Sequence, residues 1–232
     1  MKYHAVLPEL RSNPHRLGRH VEHDERSRQF AAAVLIQDPS KYPFIEWQRF
    51  IDPLDQGQLG SCTGNAMTGW LASAPHCQSP EQAAKYNEDF AVKLYSEATQ
   101  LDRIPGSYPP DDTGSSGLAV AKAAKQLGEI RGYHHAFGVL GLLSALQHGP
   151  VIIGTPWYEE MFTPDASGIV TIGGDLAGGH EYEAVGWNPV TGLFKCWNSW
   201  GNGWGVSGAF FLSLDTLRTL LHQQGDVTVP QI

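Results

Sequence analysis

Cysteine is scarce in this chain, and long apolar runs and basic blocks are missing from it. Three cysteines occur in 232 residues, an odd number without the paired spacing of a metal site. A disulfide-built scaffold does not fit, a reducing compartment is the simplest reading, and no metal or cofactor is expected. No stretch approaches 18 apolar residues, and the start, Met1 to Leu10, lacks the apolar core of a signal peptide. The expectation is a protein with no membrane partner, located in the cytoplasm unless exported by another route. Lys and Arg number 16 against 24 Asp and Glu, for a net charge of −8, and no cluster of them tracks phosphates, so nucleic acid is not an expected partner. The acidic surface serves solubility. A phosphate loop is missing too, because the glycines at 201, 203 and 205 lead into no Lys-Ser/Thr.

What the chain does have is an ordinary globular composition, 41 % hydrophobic and 17 % charged. Its length suffices for one large domain or two packed lobes, and a monomer is expected. Its most informative stretch is Asp55-Gln56-Gly57-Gln58-Leu59-Gly60-Ser61-Cys62-Thr63-Gly64-Asn65. Cys62 ends a glycine-punctuated turn where a helix-compatible run through Ala66, Met67, Trp70, Leu71 and Ala72 begins. The first N–H groups of a helix have no internal partner and carry a partial positive charge, which favours a thiolate. Ser61 and Thr63 are candidate caps. A lone buried cysteine is inert by default; a thiolate nucleophile needs a histidine and a group that orients it.

Both are found downstream. His180 lies in Gly178-Gly179-His180-Glu181-Tyr182, and Asn198 in Asn198-Ser199-Trp200-Gly201-Asn202-Gly203-Trp204-Gly205. With Gln56, six residues before the cysteine, these residues resemble the constellation of papain-like cysteine peptidases, over about residues 43 to 212. His180 follows Cys62 by 118 residues and Asn198 by 136, slightly compressed against the usual ~130–150. The chain departs from the family at Leu59, where a disulfide-forming cysteine is usual, at Thr63, usually aromatic, and at Glu181, usually small.

The resemblance implies an α+β, two-lobe fold: a helical lobe over about 55–148 with its central helix starting at Cys62, an antiparallel β lobe over about 149–214, and a C-terminal helix and tail, 215–232. It also implies a cysteine endopeptidase acting on peptides or proteins. Cys62 attacks as a thiolate, His180 holds and returns the proton from a resting ion pair, and Asn198 orients the imidazole. Gln56 and the Cys62 N–H stabilise the oxyanion, and Trp200 covers the Asn198–His180 contact. Gly114, Ser115, Ser116 and Gly117 are the expected edge that pairs with substrate backbone, although a plain helix N-cap explains the serines equally. Gly179 and Glu181 border the substrate, and a carboxylate at 181 would favour Lys or Arg at the second position before the cleaved bond unless it points to solvent. A silent peptide-binding module would carry a damaged triad; a Cys-His amidase or acyltransferase would lack the backbone-pairing edge.

The remaining chain follows local rules. Residues 1–42 are charged, with apolar anchors at Phe30, Val34, Tyr42 and Phe44, and read either as an arm packed on the domain or as an inhibitory latch in the cleft. A short helix is expected within 23–35. Further helices are expected over 81–100, 118–127 (closed by Gly128), 139–148 and 215–224, with loops at 101–117 and 131–138. His134, His135 and His148 read as surface residues, Tyr95 and Trp204 as packing residues. Strands are expected at 151–154, 168–172, 182–187, 193–197 and 209–214, with a hairpin turn at 188–192. The tail, 225–232, carries no clear signal.

Overall fold

A computed structural model describes residues 2–9, 12–31, 33–34 and 36–232. Helices dominate its first part and strands its second, and each set closes its own core. The helical part contains α1 (Cys62–Leu71), the single turn α2 (Pro80–Ala83), α3 (Glu88–Leu101) and α4 (Gly117–Gln126). Every residue of α1 is buried. Met67, Trp70 and Leu71 pack with Leu94, Ala98, Val120 and Ala124 of α3 and α4, each large side chain contributing about 1.5–3 kcal/mol by leaving water. Ser116 caps α4 by accepting from the Ala119 N–H at 3.1 Å. Gly128, at φ +77°, terminates it in the left-handed conformation that other residues resist.

The sheet begins with β3 (Ile45–Glu46) and β4 (Gly132–Ala136), and after α5 (Gly138–Leu146) continues with β5 (Val151–Tyr158), β6 (Leu176–Asn188), β7 (Leu193–Trp197) and β8 (Ala209–Ser213). Helix α6 (Leu214–His222) then leads into β9 (Asp226–Gln231). The strand order is β4-β9-β5-β6-β7-β8, all antiparallel, with β3 on the far end of β6. The β6–β7 turn closes with Gly192 N–H donating to Asn188 O at 2.8 Å. Trp157, Tyr182, Phe194 and Phe210 fill the core between this sheet and α5 and α6.

Several elements depart from the local expectations. The helix expected over 81–100 is two helices, because the Asn87 side chain accepts from the Phe90 N–H at 3.0 Å and starts α3 afresh. Residues 168–172 make no strand; Ile169 forms an isolated bridge to Phe211. The loop expected at 131–138 contains β4, and the tail is β9, inserted between β4 and β5. Both strands are short and polar, and each is held by pairing that local sequence does not report. Residues 23–35 hold no α-helix among the described residues. Instead β1 (Lys2–Ala5) pairs antiparallel with β2 (Val21–Asp24), and a 3₁₀ turn follows over Glu25–Phe30; the expected anchor at Val34 is exposed, as is Phe44 at 61 %. The anchors of this N-terminal arm are Leu17, Val21 and Tyr42, all buried. His135 is buried as well, against the expectation of a surface residue.

Candidate active site

The site is assembled where α1 meets β6. Cys62 is the first residue of α1 and fully buried. Neither Ser61 nor Thr63 caps the helix: Ser61 Oγ donates instead to Asn65 Oδ1 at 2.8 Å. The thiol faces the backbone N–H of Glu181, directly after His180, which favours its ionised form. His180 Nε2 lies 2.7 Å from Asn198 Oδ1. That oxygen also accepts from the Ser199 N–H at 2.8 Å, which fixes the amide orientation and makes Nε2 the protonated nitrogen. His180 Nδ1 has no hydrogen-bond partner. Trp200 stacks on the imidazole at 4.6 Å and 24°, and Trp157 meets it edge-on at 5.0 Å. Gln56 is held by Ser199, whose Oγ donates to Gln56 Oε1 at 2.6 Å. Trp204, as expected, packs, donating to Phe162 O at 2.8 Å. Tyr95 also packs, its hydroxyl tying Asp112 to the Gly114 N–H.

The cleft between the two parts is filled by the chain itself. The β1–β2 hairpin sends its connecting loop into it. Gly179 O accepts from the N–H groups of Gly18 at 3.2 Å and Arg19 at 2.9 Å. On the other wall, Ser115 N–H donates to Gly18 O at 2.8 Å and His20 N–H to Ser115 O at 2.7 Å, a parallel bridge. Trp200 Nε1 donates to Arg16 O at 3.1 Å, and Gln56 Nε2 to Leu17 O at 3.1 Å. Only glycines allow this approach: a Cβ on Gly18 would lie 2.2 Å from Gly60 O, and one on Gly179 2.3 Å from Arg19 O. Of the expected edge, Ser115 thus pairs with backbone, while Ser116 both caps α4 and donates from Oγ to Glu22 Oε2 at 2.9 Å.

Covering the site alters its electrostatics. Burial pushes the Cys62 thiol well above its ordinary value, and the Glu181 and Glu9 carboxylates add to this, against the Glu181 N–H and Arg19. Burial likewise depresses His180 to about 4, with the Asn198 contact opposing. The surroundings therefore favour a neutral thiol and neutral imidazole here, in contrast to the expected resting ion pair.

Glu181 points inward and is 1 % exposed. Beside it stand two residues the sequence did not single out, Arg19 and Asp226, with Arg19 Nη2 donating to Asp226 Oδ1 at 2.6 Å; a third, Asp112, lies against Gly60 and accepts from Arg16 at 2.8 Å and from the Gly60 N–H at 3.0 Å. The period-two run Val227-Thr228-Val229 was the available signal for Asp226. Arg19 had none. Cys77 and Cys196 are free and lie in different cores, Cys77 with the helices and Cys196 with the sheet. Among the described residues no group of His, Cys, Asp and Glu is arranged to hold a metal, and no helix is long and apolar enough to cross a membrane.

No protein-family model matches the chain. It is 27 % identical over 184 residues to gamete and mating-type specific protein A of Dictyostelium discoideum, covering 71 % of this chain and 41 % of that protein. It is 35 % identical over 82 residues to cathepsin B-like cysteine proteinase 6 of Caenorhabditis elegans, covering 32 % and 22 %. The chain thus spans less than half the length of these curated relatives. Among solved structures, xylellain, a cysteine protease from Xylella fastidiosa, superposes with a TM-score of 0.69 at 16 % identity, over 97 % of this chain and 98 % of that one. The procathepsin B S9 of Trypanosoma congolense does so at 0.59 and 12 %, over 98 % and 94 %. The two-part architecture, with α1 starting at Cys62 and β6 carrying His180, is the fold of the papain-like cysteine proteases.

Proposed function

We propose that this protein is a cysteine endopeptidase and that residues 1–42 include its inhibitory latch. One observation carries the reading: a peptide segment, residues 16–20, lies in the cleft beside Cys62 with its backbone paired to Gly179 and Ser115 and a carbonyl on Gln56 Nε2. The fold shared with cysteine proteases, one of them in a proform, supports it.

With the arm displaced, water reaches the pair and removes the desolvation that keeps both groups neutral. The α1 N-terminus then favours the thiolate and His180 takes its proton on Nδ1, the nitrogen left free by Asn198. Sulfur adds to the peptide carbonyl carbon, and the oxyanion receives hydrogen bonds from Gln56 Nε2 and the Cys62 N–H. His180 returns the proton to the leaving nitrogen as the C–N bond breaks, leaving a thioester on Cys62. Water, deprotonated by His180, then hydrolyses the thioester. Asn198 holds the ring plane throughout.

The test is labelling of the full chain by a peptidyl epoxide, read by mass and mapped to a residue. Little labelling in the native chain and rapid labelling of Cys62 in Gly18→Ala, lost on His180→Ala, is expected. Equal, slow labelling in both overturns the reading.

A further inference from the structure

The turn that leads into α1 is tied at its two ends to one carboxylate. Glu88 is the first residue of α3. Its Oε2 accepts from the Asp55 N–H at 3.0 Å, directly before Gln56. Its Oε1 accepts from Asn65 Nδ2 at 2.6 Å, and Asn65 Oδ1 in turn accepts from Ser61 Oγ at 2.8 Å, directly before Cys62. A single run of contacts, from Asp55 through Glu88 and Asn65 to Ser61, therefore links the two residues that precede the two proposed oxyanion donors. The other contacts of the turn fix its parts separately. Ser199 O accepts from the Gln56 N–H at 2.9 Å, Asp112 holds the Gly60 N–H at 3.0 Å, and Leu59 N–H donates to Gln56 O at 3.1 Å. None of these relates Asp55 to Ser61.

We propose that Glu88 is a positioning residue for the oxyanion site, fixing the spacing between Gln56 Nε2 and the Cys62 N–H through Asp55 on one side and Asn65 with Ser61 on the other. The inference rests on the peptidase reading above. Packing alone does not ask for this set of polar groups. Asn65 is 2 % exposed and Ser61 fully buried. A buried amide is costly unless it is hydrogen-bonded, and apolar residues of the same shape would fill the space at little or no loss of stability. Ser61 also stands where a serine commonly caps a helix, yet its hydroxyl is directed to Asn65 instead. What the set does supply is a fixed distance across the turn. Negative charge forms on the substrate oxygen only as sulfur adds, so donors set at the right separation beforehand stabilise the transition state more than the bound substrate. The relation of Cys62 to His180 comes from α1 and β6. Reagents that react at sulfur without forming an oxyanion are therefore indifferent to Glu88.

The experiment uses the full chain with Gly18→Ala, which loosens the arm, as the parent. Hydrolysis of a fluorogenic peptide, alkylation of Cys62 by iodoacetamide and amide hydrogen exchange over residues 57–62 are measured together. Glu88→Ala shifts both donors without removing either, so kcat is expected to fall by about 10–10²-fold, with KM little changed. Alkylation is expected to stay at the parent rate, because displacing iodide forms no oxyanion, while exchange over 57–62 speeds up. Glu88→Gln should recover kcat and protection: its carbonyl accepts from the Asp55 N–H, its NH₂ donates to Asn65 Oδ1 once that amide turns over, and Asn65 Nδ2 donates to Ser61 Oγ. Should Glu88→Ala not fold, Glu88→Leu with Asn65→Leu cuts the same tether with an apolar pair and is read in the same way. Parent kcat in Glu88→Ala, an equal loss of hydrolysis and alkylation, or Glu88→Gln no better than Glu88→Ala overturns the positioning role. A parent that alkylates at Cys62 yet hydrolyses no peptide defeats the peptidase reading instead. Exchange then decides for Glu88: protection lost in Glu88→Ala and regained in Glu88→Gln supports the tether, and unchanged protection overturns it.

Discussion

The side-chain amide of Gln56 donates from Nε2 to the carbonyl oxygen of Leu17 at 3.1 Å. The group proposed to stabilise the oxyanion thus holds a backbone carbonyl of the arm, and the leucine that presents it is fully buried. Truncating a buried leucine costs about 2–5 kcal/mol. In Leu17→Ala that loss falls on the latched state alone, since the released arm leaves residue 17 in water. The rate of Cys62 labelling is expected to rise by about tenfold or more. An unchanged rate would mean that the arm is held without Leu17.

Once the arm is loosened, Gln56 can be tested for itself. Gln56→Ala, added to Gly18→Ala, is expected to lower kcat by about 10²–10³. KM should move much less, because the contact strengthens as charge develops on oxygen. A change confined to KM would assign Gln56 to substrate holding only.

Acid should open the latch. His180 is depressed to about 4 by burial, and His15, His20 and His135 are lowered for the same first reason. A histidine held below its free value of about 6.5 stabilises the closed state above that pH and loses the contribution as pH falls toward its folded value. Glu181, raised by burial, acts in the opposite sense, favouring closure as pH falls. Asp102, raised to about 6 by burial with Glu22 of the arm adding, acts in the same sense as Glu181, so four histidines against two carboxyls predict opening between about pH 6.5 and 4. Acrylamide quenching of tryptophan reads it, because Trp200 is 5 % exposed beneath His15, on which it stacks at 4.7 Å. Quenching that stays flat from pH 7 to 4 rejects the prediction.

Away from the cleft, Glu183 joins the two parts of the fold. It accepts from Ser73 Oγ at 2.7 Å and pairs with Arg49 at 3.5 Å, both nearly buried. Glu183→Leu leaves the Arg49 charge uncompensated, at a cost of about 3–5 kcal/mol. For a chain of this size that lowers Tm by roughly 6–20 °C. Calorimetry on Arg49→Met with Glu183→Leu should recover much of the loss; no recovery would locate the cost elsewhere.

How much of this could be read beforehand depended on whether a residue's partner was local. Cys62, His180 and Asn198 stand in short motifs, and the order of helices before strands was visible in periodicity and turn residues. Strand β9 was not, because the period-two run Val227-Thr228-Val229 is only three residues long and the strand is held by its pairing with β4 and β5. The course of the arm was hidden for a related reason. Leu17-Gly18-Arg19 has no regular period, and it is placed by Gly179, Ser115 and Asp226, each far away in the chain. The break before α3 was legible in principle, since Asn87 followed by Glu88 and Asp89 is a helix start.

The anchor of the arm and its partner are separated by 207 residues, from Arg19 to Asp226. During synthesis at about 5–20 residues per second, Arg19 waits roughly 10–40 s for the residue that will receive it. Asp226 opens the strand that fills the gap between β4 and β5. Closing the sheet and locking the arm are therefore one event, and a ribosome-bound chain short of residue 226 has neither.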